Sequence, residues 1–258
     1  HLAAEPRETG AAEFAQVRTH DPRLSVRILP GLSQDSPADV MRGEEAQIFG
    51  ACVRDPALAQ GRRLIVLPGS HSKWALVEDG QVLAFRTVPT GELFALLRDG
   101  STLGPKDSVG DTAEEAAGFA EGLARAGEGA VLAGLFAARA MRLRAGRSAD
   151  WALGYLSGLL IGGEIAEARA LLRADHGVTL IGDARLSDRY ARALAVQGVE
   201  SHRLDGRRCT DGRGCTQVVH HRYLRHRQPG AHRVIYRRGG ADADNRLYRT
   251  PARQTGRD

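Results

Sequence analysis

Apolar and polar residues change rhythm several times along this chain, and the changes mark out its elements. Leu24-Ser-Val-Arg-Ile-Leu29 alternates and stops at Pro30-Gly31, which predicts a strand entering a turn. Residues 32–38 read as a loop. A helix is predicted from Ser36-Pro37 or Asp39, carrying Val40, Met41, Gln47, Ile48 and Cys52 and ending before Asp55-Pro56. The apolar run Leu64–Leu67 halts at Pro68-Gly69, a small polar turn follows over residues 70–73, and Trp74 to Arg86 alternates again. That stretch predicts strand, tight turn, strand. Thr90-Gly91-Glu92 opens a helix that stops at Gly100, and residues 101–112 form a polar connection. Ala-rich helices are predicted over 113–126 and 130–145, and a longer helix over 149–174. The strand Gly177–Ile181, the turn Gly182-Asp183 and an amphipathic helix over 186–198 complete the pattern. Strands alternating with helices predict an α/β layered core.

Composition narrows the classes. The chain has 258 residues, enough for one large or two small domains, with 42% hydrophobic and 5% aromatic residues. No stretch approaches the roughly 18 apolar residues of a membrane span. Residues 1–23 are mixed in charge and lack the apolar segment of a signal peptide. Cys52, Cys209 and Cys215 form no even framework and no CxxC pair, so neither a disulfide scaffold nor a zinc ribbon is expected. A cytoplasmic setting is the expectation.

The net charge of +5 is unevenly placed. Of 36 Lys and Arg, 14 lie in residues 201–258, against 5 of the 31 Asp and Glu. The body is mildly acidic and the tail alone makes the chain basic. Beyond Glu200 apolar periodicity disappears and Arg, His and Gly crowd in, which predicts a disordered segment. Such a tail reads as a solvated extension; an Arg-rich nucleic-acid arm is the alternative. Lysine is absent from it, as a GC-rich coding region read in a shifted frame would produce.

Two places carry candidate chemistry. Gly69, Ser70, His71, Ser72 and Lys73 sit between two predicted strands. Glycine admits close approach of an anion, while hydroxyls, N–H groups and an ammonium supply donors, so the turn suggests a phosphate cradle. An ordinary β-hairpin is the plain alternative. Gly182-Asp183, between a strand and a helix, could likewise meet a nucleotide at the helix N-terminus, or be a simple turn. Asp39, Glu44 and Glu45 gather near a predicted helix start, where the dipole favours their ionised form. Glu at such positions also serves stability alone. Gly158, Gly162 and Gly163 in the long helix predict a close neighbour or ligand on that face.

The blocks "ILPGLSQDSPADVMRGEEAQIFGA" (28–51), "LPGSHSKWALV" (67–77), "FRTVPTGELFALL" (85–97) and "LSGLLIGGEIAEA" (156–168) resemble the 2-dehydro-3-deoxygalactonokinases, sugar-acid kinases of the actin-like ATPase superfamily. The resemblance runs from about residue 24 to about residue 200. It implies ribonuclease-H-like lobes: 1–62 as a remnant of a first lobe that is largely missing, 63–200 as the second lobe, and 201–258 as an aberrant tail replacing the closing strand and helix. The family's first phosphate hairpin has no counterpart before Leu24, so a truncated chain is expected, an inactive fragment being one reading of it.

The resemblance further implies ATP and Mg²⁺ as cofactors and the transfer of the γ-phosphate to the primary hydroxyl of 2-dehydro-3-deoxy-D-galactonate. It casts Glu44 first, and Asp39 second, as the base, with Glu45 on the metal. Gly69, Ser70, His71, Ser72, Lys73, Gly182 and Asp183 fall to ATP. Arg42 and Arg86 suit the substrate carboxylate through arginine's planar fork, while Thr87, Thr90 and Glu92 suit its hydroxyls. The partners expected are a small sugar acid and a nucleotide, with no membrane. A non-catalytic nucleotide- or sugar-acid-binding remnant is the rival reading, and nucleic-acid binding through the tail a third.

Overall fold

The order of elements follows from which residues must be covered on two faces and which on one. A computed structural model of the chain describes residues 15–17, 26–28, 31–172 and 177–209. Two short antiparallel ribbons come first: β1 (Ala15–Val17) with β2 (Val26–Ile28), then β3 (Leu32–Asp35) with β4 (Ala38–Met41). Helix α1 (Glu44–Arg54) and a 3₁₀ turn (Pro56–Ala59) lead into β5 (Arg62–Leu67), β6 (Ser72–Glu78) and β7 (Gln81–Val88). Helices α2 (Thr90–Gly100), α3 (Ala113–Gly127), α4 (Val131–Gly134), α5 (Ala137–Ala145) and α6 (Ala149–Leu172) follow. The chain then forms β8 (Val178–Gly182), α7 (Ala184–Val196), β9 (Ser201–Asp205) and the short α8 (Gly206–Cys209).

Five strands form one mixed sheet in the order β7-β6-β5-β8-β9. β6 runs antiparallel to both β5 and β7, while β5, β8 and β9 are mutually parallel. The central strand β5 is apolar at consecutive positions because both its faces are covered. Leu64 and Val66 pack with Trp74, Leu76, Leu180, Phe119, Ile165 and Tyr190 under α3, α6 and α7. Ile65 and Leu67 face the other way, into a cluster with Ala75, Phe85, Leu32, Ile48, Ala51 and Cys209. Residues 32–58 thus pack into the same core as the sheet.

Four sequence expectations need correction. Residues 32–41 form a hairpin, not a loop and a helix start; α1 begins only at Glu44, after Gly43 turns the chain at φ 112°. Strands of four residues are too short to show a period. The run from Trp74 to Arg86 is two strands, because Asp79 and Gly80 both take positive φ (46° and 70°), the geometry of a tight hairpin turn. The helix expected over 130–145 is split into α4 and α5. The expected tail at 201 begins with an ordered edge strand: β9 pairs in register with β8, and Cys209 is buried. Its side chains are mostly exposed, so the strand is held by backbone pairing that no apolar pattern announces. The rest of the tail lies outside the described residues.

The glycines of α6 meet a neighbour, not a ligand. A Cβ on Gly154 or Gly158 would strike the Glu115 or Phe119 carbonyl at 2.0 and 2.1 Å, and one on Gly118 or Gly122 of α3 would strike the Trp151 or Tyr155 carbonyl at 2.0 and 2.2 Å. The two helices cross with reciprocal glycines at a four-residue spacing, which lets their backbones touch.

Candidate active site

The sheet ends define the site. β5 leaves the sheet by turning back into β6, whereas its parallel neighbour β8 runs on into α7. Parallel neighbours that diverge at their carboxyl ends leave a crevice between them. Here it is a cleft of about 400 Å³ lined by Gly69 and Ser70 after β5, Thr90, Gly91 and Phe94 of α2, and Asp183, Arg185, Arg189 and Tyr190 at and within α7. A second hollow of about 480 Å³, between Arg98, Lys106 and the 105–110 loop, shares Arg98, Leu153 and Arg185 with it.

Local packing shapes the entrance. A Cβ on Gly91 would lie 2.4 Å from the Gly69 carbonyl and 2.8 Å from the Ser70 Cα, so only glycine lets α2 start against the turn. The Glu92 N–H donates to the Ser70 carbonyl (3.0 Å) and closes that contact. His71 Nε2 pairs with Glu92 Oε2 at 2.5 Å on the outside. Asp183 caps α7, accepting from the Arg185 and Leu186 N–H groups. Deeper in, Arg189 forks onto Glu115 Oε1 and Ser157 Oγ, held over the Phe119 ring. Arg185 pairs with Asp111 (2.6 Å) at the rim.

Beneath the cleft floor lies a buried polar network. Trp74 Nε1 donates to Glu164 Oε1 (2.6 Å), the Tyr190 hydroxyl donates to Glu164 Oε2 (2.5 Å), and Ser72 Oγ lies 2.9 Å from the Tyr190 oxygen. Burial pushes the Glu164 carboxyl above its ordinary range, against the pull of Thr90, Tyr190, Trp74 and Ser72. Burial, with Glu164 alongside, pushes the Tyr190 phenol well up. Close to the rim, Asp150 in the first turn of α6 accepts from Ser108 Oγ, Val109 N and Gly110 N. The Gly110 N–H is the foremost of the donors that hold its carboxyl down at about 2.

The structure gathers some of the expected residues and separates others. Gly69, Ser70, Thr90 and Asp183 line the cleft, and Gly182 directly precedes Asp183. Ser72 points into the network below. Lys73 alternates to the opposite face of the sheet, where its Nζ donates to the Val40 carbonyl and to Thr87 Oγ1, both at 2.7 Å. Asp39 joins it there: Thr87 donates its N–H to Asp39 Oδ2 (2.7 Å) and its hydroxyl to Asp39 Oδ1 (2.5 Å). Asp39, Glu44, Arg42 and Lys73 line neither hollow.

Glu44 accepts from the Arg42 N–H (3.1 Å) at the exposed tip of α1. Glu45 is buried, accepts from the Gly43 N–H (2.6 Å), and is pushed upward by burial. Arg86 is buried and folds back onto the Phe85 carbonyl (2.7 Å). Glu164, Tyr190, Glu115 and Arg189 escaped the sequence reading. A glutamate within the otherwise apolar Leu159–Ile165 was the one signal available, since a charge on a helix buried all round needs partners.

A sequence profile described as 2-keto-3-deoxy-galactonokinase matches residues 3–217. The chain belongs to the 2-keto-3-deoxy-galactonokinase family. The match reaches beyond residues 24–200 at both ends. A Rhizobium meliloti protein to which the name 2-dehydro-3-deoxygalactonokinase is provisionally given is 40% identical over 201 residues, 75% of this chain. The 2-dehydro-3-deoxygalactonokinase of Escherichia coli is 36% identical over 183 residues, 68% of this chain. This family member spans 65% and 59% of the length of those two relatives. A crystal structure from Sinorhizobium meliloti, given the same name provisionally, superposes with a TM-score of 0.71 at 34% identity, covering 81% of this chain and 70% of that one. Among the described residues, no helix is long and apolar enough to cross a membrane.

Proposed function

We propose that the chain serves a sugar-acid kinase that moves the γ-phosphate of ATP to the primary hydroxyl of 2-dehydro-3-deoxy-D-galactonate, and that the cleft between β5 and β8 receives the nucleotide. The cleft itself carries this reading: a glycine-hydroxyl turn, a capped helix N-terminus and the guanidinium groups of Arg185 and Arg189 converge at the carboxyl ends of two parallel strands. The sheet order with β6 alone reversed supports a ribonuclease-H-like lobe of the actin-like ATPase kind for residues 63–205. In this proposal residues 1–62 are what the chain carries of the first lobe, with 32–58 packed onto the sheet. ATP-dependent chemistry fits the cytoplasmic setting read from the composition.

Phosphoryl transfer asks a protein mainly for positioning and for charge near the phosphates. Gly69 and Ser70 would offer backbone N–H and hydroxyl donors; the Arg185 guanidinium, pre-oriented by Asp111, keeps further N–H groups for phosphate. Glu44 is proposed as the base and Arg42 as the holder of the substrate carboxylate, both at the tip of α1. Supporting this, a Cβ built on Gly206 would lie 3.3 Å from Gly182 Cα and 3.7 Å from Gln47 Nε2, so α1 one turn past Glu44 reaches the sheet edge that bears the cleft. Asp39, with both oxygens bound by Thr87, would shape the acceptor side.

Mg²⁺ travels on the nucleotide's phosphates in kinases. The described residues gather no group of three His, Cys, Asp or Glu for it, and Glu45 is buried on the Gly43 N–H. They do not fit an ion held by the protein alone, so Mg²⁺ would arrive with the nucleotide.

Titration calorimetry with ATP–Mg²⁺ and the sugar acid, beside a coupled ADP assay, tests the reading. Heat with ATP and turnover with the sugar acid are expected. Heat without turnover would instead favour a binding-only module, and a folded chain giving no heat with ATP would remove the nucleotide cleft. Glu44→Gln should lower turnover on the order of 10²-fold or more, with ATP affinity unchanged. Full turnover in that variant would take Glu44 out of the base role.

A further inference from the structure

Glu164 lies 3% exposed in the middle of α6, and its partners Trp74, Tyr190, Thr90 and Ser72 are all neutral. A carboxylate held in the interior by neutral donors costs stability that an apolar residue would not. Its partners show what it holds together. Tyr190 belongs to α7, Thr90 opens α2, and Ser72 ends the turn that follows β5, and all three of these elements border the cleft. Glu164 itself does not line the cleft.

The hydrogen-bond chain has a direction, and donor chemistry sets it. The indole N–H of Trp74 can only donate, and with Trp74 on Oε1 and Tyr190 on Oε2 both Glu164 oxygens serve as acceptors. The Tyr190 proton therefore goes to Glu164 Oε2, which leaves the Tyr190 oxygen to accept from the Ser72 hydroxyl at 2.9 Å. The lone pairs of Ser72 Oγ then face the Gly69 N–H, 3.4 Å away across the turn. The geometry points to Glu164 as a positioning residue: as an acceptor-only anchor it fixes the direction of the chain Gly69→Ser72→Tyr190→Glu164, and with it the shape of the turn that meets the nucleotide's phosphates. The last clause rests on the nucleotide reading of the cleft; the rest stands on the network alone.

Glu164→Gln makes a sharp test because Trp74 dictates how the amide sits. The amide oxygen must face the indole N–H, so the NH₂ must face Tyr190. The chain is then reversed: Tyr190 donates to Ser72, so the Gly69 N–H must share the Ser72 oxygen with the Tyr190 proton and its 3.4 Å contact weakens. E164Q should weaken ATP binding about tenfold, the scale of one unmade hydrogen bond. Amide exchange at Gly69 should quicken with or without ATP. Trp74→Phe removes the constraint and lets the amide flip, so W74F/E164Q should return to within about twofold of W74F alone. Neither recovery nor faster exchange is expected of a residue that merely fills space.

Wild-type ATP affinity and Gly69 exchange in a folded E164Q, or a double variant no better than E164Q, would overturn the inference. Should E164Q not fold, Tyr190→Phe breaks the same chain at its middle; unchanged Gly69 exchange there would overturn it equally. If the wild-type chain binds no ATP, the cleft reading fails, and Gly69 exchange alone decides on the network.

Discussion

Asp150 shows how much one side chain does when donors converge on it. Two backbone N–H groups and a serine hydroxyl hold its carboxyl down at about 2, from an ordinary 3.8. A depressed carboxyl binds fewer protons folded than unfolded, so it adds stability above the unfolded value and loses it as pH falls through the folded one. Asp150→Asn should therefore melt below the wild type at neutral pH. The gap should narrow between pH 4 and 2 and vanish below it, as paired thermal melts across that range would record. A gap constant with pH would mean that the carboxylate charge plays no part. At this scale the sequence was legible only in part. Gly69, Ser70 and Asp183 could be picked out by turn chemistry, whereas Lys73, one position after Ser72, was assigned to the same cradle and lies on the other face of the sheet. In a strand successive side chains point to opposite faces, and the start of β6 at Ser72 was hidden inside the polar run.

Among the elements, α3 and α6 pack backbone against backbone through their glycines. Gly158 meets the Phe119 carbonyl with no room for a methyl group. Gly158→Ala must push the helices apart and should destabilise the chain by about 1–3 kcal/mol, despite alanine's better helix propensity, by chemical denaturation. A stabilised variant would show that the helices separate freely. The sequence announced that this face was special, since glycine is unfavourable in a helix interior, but it left open whether a helix or a ligand came close. Short strands are the least legible: β3 and β4 read as loop and helix because four residues hold too little pattern, and the contacts that fasten the hairpin, Lys73 on Val40 and Thr87 on Asp39, come from residues distant in sequence.

For the molecule as a whole, β9 and α8 tie the last described residues to the sheet and to α1. β9 extends the sheet beside β8, and the Cys209 carbonyl lies against Gly50 of α1. A chain ended after Cys209 should melt higher than one ended after Glu200, because only the shorter one exposes the edge of β8 and uncovers α1. Equal melting points would mean that β9 adds nothing. Composition pointed the other way, since Arg and His crowd in just there. The sequence by itself determined the alternation of strands and helices, the apolar strands at 64–67 and 177–181, the turn residues at 69–70 and 182–183, and the family. The elements and turns are local or are written in apolar periodicity, which burial on two faces or one imposes directly, while the family rests on the resemblance of four sequence blocks. Only the tertiary structure decided which polar groups meet: that Glu164 anchors Ser72 through Tyr190, that Asp39 and Lys73 share Thr87 away from the cleft, and that β9 extends the sheet. Buried hydrogen bonds join residues tens of positions apart, and neither charge nor spacing along the chain says which pairs the fold will bring within 3 Å.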